Sequence, residues 1–394
     1  MSTLAIVGAS LAGYSAAQQL RAAGFDGRLV MVGEENRLPY DRPPLSKDFL
    51  TGRLPAGELA LADQADVDAL GVDWELGRSA VALRPGEAAV ELDDGRRVEA
   101  DGVIVATGAR PRPLPGAERV SGVHLLRTME DAVALRAELV SGRPKVAIVG
   151  GGFIGAEVAS SCVELGLEVT VVDSAELPLA DVLGSRFARL CAQLHAERGV
   201  GLRFGATVAG LVTDANRVRG VRLADGSRLD ADVVLVGIGV RANVDWLAGS
   251  GIDVGDGVQC DAGCVTSNPA VVAIGDVASV YRPELGRRVR AEHWTSATQQ
   301  ASTAVNNLLC GYTAHEFRAV PYFWSDQHGV RIQLAGEPRP TDEVTVTDGN
   351  VAERRFLAQY TRDRHPVGVL AVNHPRAFAR ARRALARHPR YVPI

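Results

Sequence analysis

Two glycine-rich turns bear the chemistry that can be read first in this 394-residue sequence. Gly150, Gly152 and Gly155 stand as G-x-G-x-x-G between an apolar run, Val146–Val149, and a stretch of helical pattern that begins at Phe153 and Ile154. A second apolar run follows and ends in an acid, Asp173. Strand, glycine turn, helix, strand and acid in this order form the dinucleotide-binding fingerprint. Gly150 permits the tight turn, Gly152 lets the backbone approach a pyrophosphate, and Gly155 lets the helix pack close to the strand. The helix N-terminus then offers unpaired N–H groups and a partial positive charge to the phosphates. The plain alternative is a glycine-rich turn without a ligand. Asp173 would accept hydrogen bonds from ribose hydroxyls and repel a 2′-phosphate. No Arg or Lys occurs from Ser174 to Asp181, so NADH is expected over NADPH unless a basic side chain arrives from elsewhere.

The N-terminus repeats the pattern. Leu4–Val7 reads as a strand, Gly8 to Gly13 as the turn with Ser10 in place of the middle glycine, and Tyr14 to Ala22 as a helix. Leu29–Val32 is the next strand, and Glu34 lies 21 residues after Gly13, the spacing of a ribose-binding acid. Ser10 is small enough to hinder a pyrophosphate rather than block it. Two fingerprints about 140 residues apart imply two nucleotides. The economical assignment is a flavin dinucleotide, FAD, on the first and a nicotinamide dinucleotide on the second.

Composition narrows the class. The chain is 46% hydrophobic and 23% charged, as in a soluble globular protein of two or three domains. A net charge of −4 gives no reason to expect nucleic-acid binding. There is no apolar run of about 20 residues to span a bilayer. The sequence enters its first strand with no basic segment and apolar core before it, so a cytoplasmic protein is expected. Cys162, Cys191, Cys260, Cys264 and Cys310 form no C-x-x-C, and the one close pair, Cys260 and Cys264, has no further His or Cys at metal-ligand spacing; reduced, mostly buried thiols and no metal site are expected.

The elements between the turns must bring them together. Leu38 to Lys47, LPYDRPPLSK, reads as an ordered loop stiffened by two prolines. Its Arg42 and Lys47 are either surface charges or contacts to the flavin and its phosphates. Residues 57–105 alternate apolar strands with turns. Val103–Ala106 is a buried strand ending in Thr107 and Gly108, and Arg110 to Gly116 reads as a linker. Val233–Val236 is the last buried strand of the second unit, closed by Gly237-Ile238-Gly239. Val271 to Asp276 repeats the strand-and-acid pattern and would return the chain to the first sheet. The expected division is 1–109 with 244–319 as a discontinuous FAD-binding domain, 110–243 as an NAD-binding domain, and 320–394 as a C-terminal interface domain. In that last part Tyr322, Phe323 and Trp324 group three aromatics, and Val330–Leu334 and Phe356–Tyr360 read as strands. Phe378, Ala381 and Leu385 then recur at helical spacing opposite Arg376, Arg380, Arg382, Arg383, Arg387 and Arg390.

These segments together resemble the FAD-dependent NAD(P)H:ferredoxin reductases, the family of putidaredoxin reductase, rubredoxin reductase and the reductase components of aromatic-ring dioxygenases. Apoptosis-inducing factor is a more distant relative. The resemblance rests on Gly8–Gly13, LPYDRPPLSK, ATG at 106–108, LRTMED at 126–131, GGGFIGAE at 150–157, GIG at 237–239, AIGD at 273–276, EHW at 292–294 and FWSDQ at 323–327. It implies an α/β fold with two Rossmann-like domains in a glutathione-reductase-like arrangement and an α+β C-terminal domain. It further implies that Ala12, Glu34, Lys47, Ala80, Arg127, Asp276 and Trp294 contact FAD, with Asp276 on the ribityl chain. Lys47 and Glu157 would pair beside the flavin ring, where a lysine stabilises the reduced anionic ring. For Glu157 the plain alternative is a helix N-terminal acid worth roughly 0.3–1 kcal/mol through the dipole. Trp324 and Trp294 are either walls of the flavin site or core packing. Arg241-Ala242-Asn243 after GIG departs from the family's usual proline and asparagine and leaves the local turn open.

The cysteines choose the branch. Disulfide reductases of this fold carry a redox-active pair near the flavin, and there is no cysteine before Cys162. The expected reaction is hydride transfer from NADH to FAD and then single electrons to an external iron–sulfur ferredoxin that supplies an oxygenase. The arginine-rich C-terminal helix would suit an acidic ferredoxin by steering encounter, or is simply a solvated face. The other readings are an NADH oxidase or peroxide reductase, and a redox-sensing FAD/NADH-binding protein without fast turnover. Either a monomer or a homodimer is compatible with the sequence.

Overall fold

The computed structural model describes residues 1–84, 86 and 88–388. The chain folds as an α/β protein built on two five-stranded parallel sheets. The first has the strand order Val271–Ala273, Gly102–Val105, Thr3–Val7, Arg28–Gly33, Val72–Leu76. The second runs Gly201–Phe204, Val169–Asp173, Val146–Val149, Val233–Val236, Val123–His124. Central strands such as Leu4–Val7 and Val146–Val149 are buried along their whole length. Their unbroken apolar runs are what a parallel sheet covered on both faces requires.

The glycine turns are built alike, because each must reverse a central strand into a helix within a few residues. Gly8 donates its N–H to Val32 and Gly150 to Val172, both at 2.8 Å. A Cβ on Gly8 would lie 2.1 Å from the Ala106 carbonyl oxygen, and one on Gly150 2.2 Å from that of Gly237. With φ of 120° and 110° these two positions suit glycine on conformation as well. Gly13 and Gly155 are excluded from carrying a side chain by their own turns: a Cβ would meet the Gly8 and Gly150 oxygens at 2.0 and 2.1 Å. The helices Leu11–Ala22 and Phe153–Glu164 follow.

Residues from Tyr322 onward form a five-stranded antiparallel sheet in the order Tyr322–Gln327, Val330–Gly336, His365–Val372, Arg355–Arg362, Glu343–Asn350. The Pro375–Ala386 helix packs on it through Ala377, Phe378 and Leu385. Its Arg376, Arg380, Arg383 and Arg387 are exposed. Arg382 leaves the basic face to lie over the Tyr322 ring, 4.3 Å from its centroid. Arg390 lies outside the described residues.

Two segments differ from their sequence reading. The loop expected over Leu38 to Lys47 holds a 3-10 turn at Pro43–Ser46, and a helical turn at Asp48–Thr51 follows. Proline's fixed φ and missing N–H suit the first positions of a helical turn, so the pair that argued against a helix starts one. The linker expected at Arg110 to Gly116 begins as a strand: Ala109–Pro111 pairs antiparallel with Val240–Ala242. Pro111 is tolerated at the end of this two-stranded ribbon, where no third strand needs its missing donor. The same ribbon settles Arg241-Ala242-Asn243. Asn243 donates to the Thr107 carbonyl at 2.8 Å, and its own carbonyl accepts from the Thr107 hydroxyl at 2.8 Å.

The connection to the antiparallel sheet is fastened by Asn307, fully buried in the Trp294–Cys310 helix. It donates to the carbonyls of Gly263 and His315, both at 2.8 Å, and accepts from the N–H groups of Ala314 and His315, both at 2.9 Å. Asn307→Ala leaves the Gly263 and His315 carbonyls and the His315 N–H unpaired, while the Ala314 N–H keeps the Tyr312 carbonyl at 3.0 Å, and is expected to destabilise the chain by about 2–4 kcal/mol. Asn307→Asp, which cannot donate, should lose a similar amount. Denaturant unfolding of the three proteins checks this.

Candidate functional site

The site is centred on a carboxylate that several elements converge to hold. Glu157, in the first turns of the Phe153–Glu164 helix, is only 3% exposed. Its Oε2 accepts from Lys47 Nζ at 2.6 Å and from Ser46 Oγ at 2.6 Å. Its Oε1 accepts from Ser325 Oγ at 2.8 Å. Ser161, one turn further along the same helix, donates to the Ser46 carbonyl at 2.8 Å. The proline-lysine segment, the second fingerprint helix and the C-terminal sheet therefore meet at one carboxylate. Glu157 lies near the N-terminus of its helix, and its burial and three side-chain donors go beyond a dipole contact alone.

Around the first glycine turn, Arg42 donates to Ser10 Oγ at 3.2 Å, to the Arg127 carbonyl at 2.5 Å and to Glu35 at 2.6 Å. Arg127 in turn donates to Asp276 at 2.8 Å. Gly8, Ser10, Gly13, Arg42, Arg127 and Asp276 are thus gathered on the carboxyl ends of the first sheet, where open α/β sheets take their ligands. Ala12 lies against Gly275, where a Cβ would approach its own Cβ to 3.0 Å. Gly108 lies by the Arg127 guanidinium, and Thr107 is held by Asn243. Glu34 is exposed at the end of its strand, while its neighbour Glu35 is the acid that pairs with Arg42 and accepts from Tyr40 Oη at 2.5 Å. Ala80 begins the strand Ala80–Arg84 and is half-buried.

A half-exposed aromatic row borders this region. Trp294, 38% exposed, donates from Nε1 to Asp41 at 2.8 Å. Its ring meets Trp324 edge-on at 6.4 Å between centroids, and Trp324 stacks on Tyr322 at 5.8 Å. Burial pushes the Asp41 carboxyl above its usual range, and the Trp294 hydrogen bond opposes this. The opposite face of the same strand carries Phe323, 4.6 Å from Phe153 of the second turn, and the fully buried Ser325 and Gln327.

At the second turn Asp173 is already engaged. Its Oδ2 accepts from Gly151 N at 2.6 Å and its Oδ1 from Ala175 N at 2.7 Å. Each carboxylate oxygen has a further acceptor direction, so the residue can shape the turn and still receive a ribose hydroxyl. A Cβ on Gly152 would meet nothing within 4 Å. Ile154, Ile238 and Gly239 are exposed on the same side of the second sheet.

These features fit a pair of dinucleotides. The space beside Gly152 is open for a phosphate approaching the N-terminus of the Phe153–Glu164 helix. His293 Nδ1 is a buried polar atom with no partner among the described residues, and its ring feels the charge of Asp276. Such an atom is expected where a polar ligand completes the site.

A model of the pyridine nucleotide-disulphide oxidoreductases matches residues 2–301, and one of the reductase C-terminal domain matches residues 322–393. The chain belongs to this flavoprotein reductase family. It is 39% identical over 383 residues to the ferredoxin–NAD(+) reductase component of an anthranilate 1,2-dioxygenase system from Burkholderia cepacia, covering 97% of this chain and 93% of the relative. It is 33% identical over 386 residues to putidaredoxin reductase from Pseudomonas putida, covering 96% and 90%. The reductase in a crystal structure of a covalent putidaredoxin reductase–putidaredoxin complex superposes with a TM-score of 0.92 at 32% identity, over 98% of this chain and 93% of that one. FAD and NADH are the cofactors of the reductases of this group.

Sequence reasoning passed over Ser46, Asp41, His293, Ser325 and Gln327, although each lies inside or beside a motif it had quoted. Period-two alternation along Tyr322–Gln327 carried the missing signal. It puts Tyr322 and Trp324 on one face and Ser325 and Gln327 on the other, and two uncharged polar residues on a buried face must have partners.

Four imidazoles are held neutral. Burial keeps His124, His195 and His293 below the ordinary imidazole value. His328 is pushed down to about 4 by burial, with His195 and Arg198 adding to it. The folded state therefore binds fewer protons than the unfolded chain between about pH 4 and 6.5. Stability is expected to be full above pH 7 and to fall as the pH drops through that window. Thermal midpoints from pH 7.5 to 5 check the sign, and His328→Asn should flatten the slope.

Proposed function

We propose that this protein is an NADH-dependent flavoprotein reductase that passes single electrons to an iron–sulfur ferredoxin serving an oxygenase, in the cytoplasm. The carrying observation is the state of the cysteines. Cys162, Cys191, Cys260 and Cys264 are buried. Burial pushes the thiols of Cys162, Cys191 and Cys260 up to about 12 and that of Cys264 well above its ordinary value. Thiol–disulfide exchange needs an accessible thiolate, so a protein dithiol does not stand between the nucleotide site and the acceptor. No helix among the described residues is long and apolar enough to cross a membrane. The names of the relatives, a dioxygenase reductase component and putidaredoxin reductase, support a ferredoxin as acceptor.

In this reading residues 1–109 with 244–319 hold FAD through Gly8, Ser10, Ala12, Gly13, Glu34, Arg42, Ala80, Thr107, Gly108, Arg127 and Asp276. Residues 110–243 hold NADH through Gly150, Gly152, Phe153, Ile154, Gly155, Asp173 and Gly239, and residues 320–394 face the acceptor. Bound FAD supplies the hydride acceptor and the one-electron donor. The protein supplies position and charge. Lys47 offers a cation to the reducing ring, and Glu157 fixes that cation. Trp294 and Trp324 wall the site on the acceptor side. Asp173 receives the adenosine ribose.

Anaerobic stopped-flow tests the reading. The yellow protein should bleach fast with NADH, more slowly with NADPH, and reoxidise faster with a [2Fe–2S] ferredoxin than with oxygen. Lys47→Ala and Glu157→Gln should each slow bleaching by about ten- to a hundredfold, since each loses a charge-assisted interaction worth about 1.5–3 kcal/mol. Reoxidation fastest with oxygen or peroxide would overturn the reductase assignment. Neutralising Arg380 and Arg383 together should slow ferredoxin reduction at low salt and matter little at high salt. Unchanged low-salt rates would remove the C-terminal helix from the docking face.

A further inference from the structure

The half-exposed aromatic row begins at an indole that is held from outside the row. Trp294 is the first residue of the Trp294–Cys310 helix and is 38% exposed. A side chain so placed ordinarily samples several rotamers on a fast timescale. Here its Nε1 donates to Asp41 Oδ1 at 2.8 Å, across 253 residues of sequence. An indole has one N–H and no acceptor, and a carboxylate only accepts. The link is therefore charge-assisted and has one direction. The N–H lies in the plane of the ring, so the bond constrains that plane as well as the position of the ring.

Asp41 is itself held. Its N–H donates to the Leu59 carbonyl at 2.7 Å, and that of Leu61 donates to the Pro39 carbonyl at 3.2 Å. Residues 39–41 thus lie against 59–61 as a short antiparallel pair, bridged at Tyr40 and Ala60. The backbone under Trp294 is tied to the C-terminal sheet, because Thr295 Oγ1 donates to the Tyr322 carbonyl at 2.8 Å. The far end of the row is pinned in the same manner. Gln333 Nε2 donates to Tyr322 Oη at 2.9 Å, and the Arg382 guanidinium covers the ring. Between the two ends stands Trp324, edge-on to Trp294 and stacked on Tyr322. Trp294 comes from a helix and Trp324 from a strand of the C-terminal sheet. A third segment, through Asp41, aligns the two rings.

We propose that Asp41 is a positioning residue for Trp294, holding the indole in one plane against Trp324 so that the wall met by the iron–sulfur ferredoxin is set before it arrives. This rests on the reading of Trp294 and Trp324 as the acceptor-side wall. A partner that meets a preset side chain does not have to order it. Ordering one mobile side chain at an interface weakens association by about three- to tenfold. That loss falls on acceptor affinity, so it enters KM for the ferredoxin and leaves kcat at saturation in place. Asn at position 41 keeps an acceptor oxygen and Ala does not, which separates the hydrogen bond from the carboxylate charge.

Two measurements on the FAD-loaded protein test this. Labelling with 15N-tryptophan gives an indole N–H signal for each of Trp74, Trp246, Trp294 and Trp324, and Trp294→Phe assigns that of Trp294. In Asp41→Ala this signal is expected to move upfield and to exchange faster with solvent; Asp41→Asn should retain most of the shift and the protection. The second measurement is steady-state reduction of the [2Fe–2S] ferredoxin that the unsubstituted protein reduces fastest. Asp41→Ala should raise KM for it about three- to tenfold with kcat within about twofold, and Asp41→Asn should restore KM to within about twofold. An indole signal that Asp41→Ala leaves in place overturns the proposal. So does a KM raised equally by Asn and Ala, or a loss confined to kcat. A loosened indole with an unchanged KM refutes the acceptor-side reading of Trp294, and with it the role of Asp41 in the reaction.

Discussion

A carboxylate in the interior must be surrounded by donors or it destabilises the fold, and Glu157 is such a group. Desolvating a charge costs several kcal/mol, which a single partner rarely offsets. Lys47, Ser46 and Ser325 supply three donors within 2.8 Å. They come from two separate stretches of the chain, and the carboxylate from a third, so the full set of donors forms only when all three stretches are in place. The pair is thus a condition on the whole assembly: the second fingerprint helix, the proline-lysine segment and the C-terminal sheet must dock in one arrangement. The same condition fixes the Lys47 ammonium against the Phe153–Glu164 helix.

The two parallel sheets create the remaining requirements. Each ends its central strand in a turn where backbone meets backbone within van der Waals distance, at Gly8 against Ala106 and at Gly150 against Gly237. These contacts leave helix N-termini and strand C-termini open toward a ligand. The polar groups then gathered there have different tasks. Arg42 and Arg127 tie Ser10, Glu35 and Asp276 together, and Asp173 clamps its own turn through Gly151 and Ala175. In this member of a family of disulfide oxidoreductases, four of the five cysteines are spent on core packing, and the fifth, Cys310, is exposed.

The C-terminal sheet has a double role that follows from β alternation. Along Tyr322–Gln327 one face supplies aromatic rings to a half-exposed surface beside Trp294, and the other supplies hydroxyl and amide groups to the buried carboxylate. One strand therefore links a half-exposed aromatic surface with the interior pair, over the thickness of a single sheet. Arg382 shows how tertiary packing redirects a residue that helical spacing alone assigns to the basic face. The Tyr322 ring offers its guanidinium a π-face and shelter from water.

Much of this was legible in the linear chain because it is local. Glycine spacing, apolar runs and strand-end acids are consequences of a backbone that has few ways to turn from strand to helix, and they announced both sheets and both turns. The motif residues Lys47 and Glu157 were marked by resemblance, and the missing cysteines limited the chemistry. What the sequence could not hold is anything that depends on segments far apart in it. The pairing of Ala109–Pro111 with Val240–Ala242, the choice of Glu35 over Glu34 for Arg42, the clamp on Asp173 and the donors that Ser46, Lys47 and Ser325 give Glu157 all join groups whose approach is decided by packing. A sequence names hydrogen-bonding groups and their local geometry. Only the folded chain, by burying them together, decides which donor must answer which acceptor.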